Sequence, residues 1–178
     1  MDPESEAAAI RAAKADPQRF TPLYERYFGD IYRFVERRIR DRQRSADITQ
    51  DAFLKAMLAL PRYTDRGLPF RAWLYRIALN EVRMYWRKRK EILVEMSFAE
   101  VLGLTEEIGM PPVEEELARL AQAMGRLDEA KAHLVELRYM DGLSFQEIGQ
   151  VLGIAEDAAK MRTHRVLATL RTYLSQRA

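Results

Sequence analysis

Residues 141–165 read DGLSFQEIGQVLGIAEDAAKMRTHR and contain the clearest local folding signal in the chain. Ser144 and Glu147 have the S-x-x-E spacing of a capping box, in which each side chain satisfies the backbone N–H of the other residue. Leu143 and Ile148 occupy the two positions of a hydrophobic staple, which fixes how the chain enters a helix. The sequence therefore predicts a helix that begins directly after Ser144.

A second helix is predicted immediately after this short one. The first helix should end at Gly153, and the next should run from Ala155 to about Leu174. Two helices joined by a tight turn that contains glycine form a helix-turn-helix. Because this geometry occurs both in DNA-binding domains and in purely structural bundles, the residues on the second helix must distinguish the two.

The second helix has a basic face. This face is formed by Lys160, Met161, His164 and Ala168, and it is flanked by Arg162 and Arg165. Residues 158–178 contain five basic residues and no acidic one. A helix of this composition after a capped short helix is typical of a recognition helix in the major groove of DNA. We therefore predict that this face contacts DNA.

The rest of the chain is predicted to be helical as well. Apolar residues recur at intervals of three and four, and no strict alternation of apolar and polar residues persists. Helices are expected over residues 4–15, from Thr21 as N-cap, from a cap at Ser45 to Pro61, and over 70–90. The predicted fold class is all-α.

Two further helices are predicted before the capping box. An apolar stripe at helical spacing is formed by Leu117, Leu120, Ala121, Met124 and Leu127. Asp128 can cap the next helix, which should bury Leu134 and Leu137 and end at Asp141. We expect His133 on the surface of that helix.

The helix predicted over 70–90 carries another basic stripe. Its members project from one face because they are four, three, four and three residues apart: Arg76, Asn80, Arg83, Arg87 and Lys90. Glu81 is the only acidic residue in this helix, so the repulsion within the stripe is hardly compensated. With Tyr63 before the helix and Tyr85 and Trp86 near its end, the stripe has the basic and aromatic pattern that binds a single nucleic-acid strand.

Charge is distributed unevenly although the formal net charge is only +2. Residues 62–90 contain nine basic and two acidic residues, a net of +7, whereas residues 91–131 contain ten acidic and three basic, a net of −7. Within the acidic part, residues 91–113 lose clear periodicity and close with two prolines, which is typical of a linker. We predict two small helical domains, 1–90 and 114–178, joined by this acidic linker.

The helix after Ser45 has a polar face that includes two leucines. This face is formed by Asp47, Gln50, Asp51, Leu54 and Leu58, and it lies opposite Ile48, Ala52 and Ala56. Judged on residue types alone, an ordinary amphipathic helix accounts for this pattern. Leucines among acids at contact spacing are also compatible with docking on a basic helix of another protein.

Composition excludes several functional classes. The chain has no cysteine, which excludes disulfides, thiolate nucleophiles and the common structural zinc sites. Its two histidines are far apart, and no glycine-rich phosphate-binding motif is present, so we expect no metal, no cofactor and no catalytic site. No segment approaches the ~18 apolar residues of a membrane span, and no signal-peptide pattern is found. We expect a cytoplasmic protein without membrane insertion.

Several motifs occur in an order that resembles a known family. Residues 47–56 read DITQDAFLKA and residues 70–80 read FRAWLYRIALN. They are similar to the core-binding segment D-L-V-Q-E-x-F-L-R-A and the F-x-x-W-L-x-x-I-A-x-N signature of bacterial RNA polymerase sigma factors of the extracytoplasmic-function (ECF, group IV) type. Residues 134–149 and 160–165 are similar to the upstream-element reader of the same family. The resemblance covers the chain from about Phe20 to Leu174.

The resemblance implies a specific set of contacts. The clamp helices of core RNA polymerase would be bound by Asp47, Gln50, Asp51 and Leu54. The −10 element would be contacted by Tyr63, Arg76, Asn80, Arg83, Arg87 and Lys88, and Asn80 would help capture an unpaired base. The −35 element would be contacted by Arg138, Lys160, Met161, Arg162, His164 and Arg165. Further partners that the resemblance implies are the polymerase flap, promoter DNA and an anti-sigma factor.

The sequence departs from the family pattern at three positions. Met84 stands where a small polar or acidic residue is frequent, and Ala158 and Met161 stand where Thr and Ser are frequent. All three positions lie on or beside the predicted DNA-binding faces.

Two other functions remain open at this point. A stand-alone helix-turn-helix repressor or activator would use the same C-terminal domain, but it would bind duplex DNA without polymerase and typically as a dimer. A helical adaptor would bind only protein, and its basic stripe would not contact DNA. A gel-shift comparison with and without core polymerase separates these functions.

Overall fold

A computed structural model describes residues 2–65, 67, 69–87 and 114–175, without the side chains of residues 3, 87 and 114–118. Every regular element in these residues is helical, as predicted. The chain divides into two compact units, Met1–Ile92 and Leu93–Ala178. The predicted linker 91–113 lies outside the described residues. No helix in the described part of the chain combines the length and the apolar character of a membrane span.

The described part of the first unit contains four helices joined by short connections. These are α1 (Pro3–Ala15), α2 (Thr21–Ile39), α3 (Arg42–Ala59) and α4 (Phe70–Arg87), with 3₁₀ turns at Pro17–Phe20 and Leu60–Arg62. Helices α2, α3 and α4 pack against one another. Their common core includes the fully buried side chains of Leu23, Phe34, Val35, Ala56, Ala72 and Ala78.

The first turns of α2 and α3 differ from the prediction. Asp41, not Ser45, caps α3, because its Oδ1 accepts a hydrogen bond from the backbone N–H of Arg44 at 3.0 Å. Ser45 lies one turn inside the helix and is fully buried. Thr21 is likewise the first helical residue of α2 and not its cap. Serine and aspartate cap equally well, so the sequence alone could not choose between two candidates four positions apart.

The second unit contains four more helices in its described part. They are α5 (Glu114–Met124), α6 (Glu129–Val135), α7 (Phe145–Leu152) and α8 (Glu156–Ser175), and α6 continues into a π-helical turn over Glu136–Met140. Helix α8 packs against the other three. The core of this unit includes the fully buried side chains of Leu120, Val135, Leu137, Leu143, Ile148, Ala159 and Leu170.

Two predictions about the core of this unit were wrong. His133 is 5% exposed and is therefore not a surface residue. Every residue from 132 to 137 is buried, so this part of α6 has no solvent-facing side for a histidine to occupy. On α5, Ala123 is buried while Ala121 is exposed, because the buried stripe turns slightly relative to the predicted one.

The capping box is present as predicted. The Ser144 Oγ accepts a hydrogen bond from the backbone N–H of Glu147 at 3.2 Å, and the Ser144 backbone N–H donates to Glu147 Oε2 at 2.8 Å. Helix α7 ends at Leu152 and is capped by Gly153, whose φ of 72° is left-handed. A Cβ on Gly149 would lie 2.7 Å from the carbonyl oxygen of Ile154, so no side chain fits where α7 approaches the turn. These contacts fix the start of α8 relative to α7.

Candidate nucleic-acid interface

Helix α4 separates a buried side from an exposed basic side. Its buried side chains include Phe70, Leu74, Tyr75, Leu79 and Val82. The exposed side carries Arg76, Asn80 and Arg83, with Met84 46% exposed beside them. These residues form what we call the α4 basic face, as the spacing predicted. The side chains of Arg87 and Lys90, which the spacing prediction included, and of Lys88, which the resemblance implied as a −10 contact, lie outside the described residues.

Glu81 does not neutralise the α4 basic face. Its Oε2 lies 2.5 Å from the Nζ of Lys55 on α3, and its side chain is only 11% exposed. The carboxylate is therefore turned towards α3 and paired there. The arginines of the α4 basic face are left without an acidic neighbour on their own helix.

Tyr63 lies in an aromatic cluster at the base of the loop before α4. Its ring centroid is 5.3 Å from that of Phe70 and 4.9 Å from that of Trp73. Tyr63 is only 8% exposed, and burial, followed by the charge of Asp65, raises its pKa to about 12. This packing corrects the expectation that the ring is an open surface for base stacking. Tyr63 supports the loop from beneath.

Helix α3 presents the polar face predicted from its sequence. Asp47, Gln50 and Asp51 are exposed, and Leu54 and Leu58 are 51% and 69% exposed. Leu54 and Leu58 are one helical turn apart, and exposed apolar area that is rimmed by polar residues is a mark of a contact surface for another protein. These five side chains are therefore accessible to a partner protein in the described structure.

Helix α8 presents the second predicted basic face. Lys160, Met161, Arg162, His164 and Arg165 are all exposed. A shallow groove along this face is lined by Asp157, Lys160, Met161, His164, Arg165 and Ala168. An Nη of Arg165 lies 3.5 Å from the Met161 Sδ, so a cation and an apolar side chain lie next to each other in the groove. The groove thus combines hydrogen-bond donors with an apolar floor.

Arg138 braces the helix-turn-helix from inside the unit. Its Nη1 donates to the carbonyl oxygen of Leu143 at 3.0 Å, and its guanidinium carbon is 4.9 Å from the centroid of Phe145. The Phe145 ring in turn lies 6.0 Å from the ring of His164. The sequence pattern alone did not single out Phe145 as part of this arrangement. An aromatic residue at the first position after the cap of α7 was the available signal.

Comparisons with known proteins agree with this arrangement. Residues 23–92 match the family model for Sigma-70 region 2, and residues 123–172 match the model for Sigma-70, region 4. The first match spans α2 to α4, and the second runs from the end of α5 into α8. Helix α1 precedes both matches.

Several curated relatives are sigma factors. The chain is 32% identical to the ECF RNA polymerase sigma factor BldN of Streptomyces coelicolor over 90% of its length, and it spans 62% of that longer protein. It is 32% identical to the RNA polymerase sigma factor NccH of Alcaligenes xylosoxydans xylosoxydans, with 95% of this chain and 94% of NccH covered. It is 31% identical to the ECF RNA polymerase sigma factor SigW of Bacillus subtilis, with 90% and 91% covered.

Two solved structures share the fold. CnrH, solved in complex with the cytosolic domain of CnrY, superposes with a TM-score of 0.67 at 26% identity and covers 97% of this chain and 99% of its own. RpoE from Bartonella quintana, solved with the anti-sigma factor NepR, has a TM-score of 0.60 at 19% identity and covers 89% and 98%.

The two matched regions define an RNA polymerase sigma factor, a protein that directs promoter-specific transcription. Within that class, the chain belongs to the ECF sigma factor family.

Proposed function

We propose that this chain is a group IV ECF sigma factor that binds core RNA polymerase and places its two basic faces on the −10 and −35 elements of one promoter. The observation that carries the proposal is the α4 basic face, whose arginines flank an exposed Asn80 while the single acid of the helix is paired with Lys55. A row of uncompensated cations on a rigid helix suits a polyanion, because the surrounding charge favours phosphate binding.

The exposed face of α3 is the proposed docking surface for the polymerase clamp helices. Asp47, Gln50 and Asp51 supply negative charge and hydrogen-bonding groups, and Leu54 supplies apolar area that is 51% exposed in the free protein. An acidic rim around an apolar contact fits a basic helical partner, because the charges orient the encounter and the leucine is buried on binding. The polymerase flap is the proposed contact of the second unit.

The α4 basic face is the proposed reader of the opened −10 element. Arg76 and Arg83 would hold phosphates, and Arg87 and Lys88 would extend the same track. The Asn80 amide carries both donors and an acceptor, so it can pair with the edge of an extruded base. DNA stacking is worth roughly 1.4 kcal/mol per step, so a protein of this size is expected to need the polymerase to open DNA.

We propose that this chain acts in the cytoplasm and has no catalytic activity of its own.

The groove of α8 is the proposed reader of the −35 element. Lys160, His164 and Arg165 are donors that suit the purine acceptors of the major groove. Arg162, which is exposed beside this face, would contact phosphate, and Arg138 would act indirectly, through its contact with Phe145.

An anti-sigma factor is a further proposed partner. CnrH was solved with the cytosolic domain of CnrY, and CnrH covers almost all of this chain. By analogy, we propose that an inhibitor covers the DNA-binding faces of this chain until it is released.

A gel shift with and without core polymerase tests the function. The chain alone should shift a promoter duplex weakly, whereas the chain and core together should give a specific complex that transcribes. Tight binding of duplex DNA by the chain alone would favour the helix-turn-helix repressor or activator. Absence of any DNA complex, with or without core, would favour the adaptor.

A further inference from the structure

Helix α1 contacts both ends of the loop that precedes α4. The loop begins after the 3₁₀ turn at Tyr63 and ends at Phe70. Lys14 of α1 contacts the first of these residues, and Glu6 of α1 contacts the second. This helix lies before the region 2 match, which begins at residue 23, so the comparison assigns it no role.

Glu6 joins three helices through one carboxylate. Its Oε2 accepts a hydrogen bond from the backbone N–H of Phe70 at 3.3 Å, and its Oε1 accepts one from the hydroxyl of Tyr27 on α2. Phe70 is the first residue of α4, where backbone N–H groups have no partner within the helix. A carboxylate at this point satisfies that donor and suits the positive end of the helix dipole. Glu6 therefore caps α4 from 64 positions away in the sequence.

Lys14 holds the other end of the loop. Its Nζ donates to the carbonyl oxygen of Tyr63 at 2.5 Å and lies 5.6 Å from the centroid of the Tyr63 ring. The ring of Tyr63 is packed against Phe70, so the two ends of the loop are also in contact with each other. Helix α1 is itself anchored by the buried side chains of Ile10 and Ala13 and is capped by Asp2.

We infer that α1 is a brace for strand capture, in which Glu6 and Lys14 are positioning residues that hold both ends of the loop beside the α4 basic face. The inference rests on the proposed −10 function of that face. A loop that must receive an extruded base loses conformational freedom when it does so, and prior fixing of its ends reduces that loss. Removing the brace should weaken capture of the single strand and leave the distant −35 contact and core binding unchanged.

The test uses the holoenzyme assembled from core polymerase and each variant. The variants are Glu6→Ala, Lys14→Met and the double variant, and the matched controls on the same helix are Glu4→Gln and Arg11→Gln, whose side chains are exposed. Two probes are taken from a promoter that the wild-type holoenzyme transcribes. One is a single-stranded nontemplate oligonucleotide across the −10 element, and the other is a duplex that contains only the −35 element.

We expect the double variant to bind the single strand about tenfold more weakly, because Lys14→Met removes one hydrogen bond to a charged group and Glu6→Ala removes two. Binding of the −35 duplex and affinity for core should stay within twofold of the wild type. Lys14→Arg keeps a cation at this position, so it should retain most of the single-strand affinity that Lys14→Met loses. Unchanged single-strand binding in the double variant would overturn the inference. So would an equal fall for both probes together with weaker core binding, because that pattern reports a general loss of structure.

The same experiment separates this inference from the proposed function. If the wild-type holoenzyme does not bind the single strand above core alone, the proposed −10 function fails and the inference fails with it. If the wild type binds and the double variant binds equally well, the function stands and the brace alone is refuted.

Discussion

Lys55 Nζ lies 2.5 Å from Glu81 Oε2, and this ion pair holds the one acidic side chain of α4 on the side that faces α3. Asn80 precedes Glu81 in the sequence but projects from the exposed side of the helix, away from the contact with α3. Adjacent residues on a helix point in directions about 100° apart, which is sufficient to separate a structural ion pair from a binding face. The pair thus secures α4 against α3 without reducing the positive charge around Asn80.

The positive charge of the α4 basic face should appear in the salt dependence of DNA binding. Arg83→Gln removes one cation from the exposed face, so the slope of log affinity for a −10 single strand against log salt should become less steep by about 0.7. The measurement is a titration of the holoenzyme at several salt concentrations. Arg19→Gln, at an exposed arginine of the first 3₁₀ turn, is the matched control and should leave the slope unchanged.

Asn80→Ala should reduce promoter opening and leave core binding intact. The amide is exposed, so its loss removes base contacts without creating a buried cavity. The measurements are open-complex formation on a duplex promoter and the affinity for core polymerase. Gln18→Ala removes an exposed amide elsewhere in the same unit and serves as the control. Loss of core affinity with normal opening at saturating core would contradict the assignment of Asn80.

Met161 should read a thymine methyl group in the −35 element. Its side chain is 51% exposed and lines the α8 groove beside Arg165. Replacing the contacted thymine with deoxyuridine removes one methyl group, which should weaken wild-type binding about fourfold. In Met161→Ala, the same replacement should have almost no effect. If every deoxyuridine replacement across the element weakens both proteins equally, Met161 does not make this contact.

Ser144→Ala should destabilise the second unit by about 1 kcal/mol, because one half of the capping box is lost. Denaturant unfolding of the full chain, followed by a probe in the second unit, measures the change. Ser144→Asp should be close to the wild type, since aspartate caps as well as serine. Equal destabilisation by both variants would show that the cap is not the source of the effect.

The first unit should lose stability at alkaline pH through Tyr63. The pKa of an unfolded tyrosine is about 10, and burial raises that of Tyr63 to about 12. The folded state therefore favours the neutral phenol, and this stabilisation is complete below pH 10 and lost as the pH rises to 12. Unfolding free energies across this window should fall less steeply in Tyr63→Phe. Tyr173→Phe, in the second unit, is the control and should not change how steeply the unfolding free energy of the first unit falls with pH.

The features that the sequence predicted well depend on residues that are close together in the chain. Ser144 and Glu147 are three positions apart, and their box is fully specified by local backbone geometry. The exposed α4 basic face follows equally directly from helical periodicity, since Arg76, Asn80 and Arg83 must share a side.

The features that were missed depend on packing between residues that are far apart in the sequence. His133 is buried because other helices pack around α6, and the sequence pattern of α6 itself does not reveal that packing. The burial of Tyr63 depends on Phe70 and Trp73, which reach it across a loop. The contact of Glu6 with Phe70 joins residues 64 positions apart, and no short-range motif encodes it.

The close backbone contact at Gly149, which has no side chain, has a consequence for protein engineering. Backbone meets backbone at that point, because a Cβ on Gly149 would lie only 2.7 Å from the Ile154 oxygen, so this contact between α7 and the turn before α8 involves no exposed side chain of α8. We therefore expect that the exposed side chains of α8 can be exchanged as a set without moving the helix, provided that Gly149 is retained. Even an alanine at position 149 would force the turn at Ile154, and with it the start of α8, away from α7.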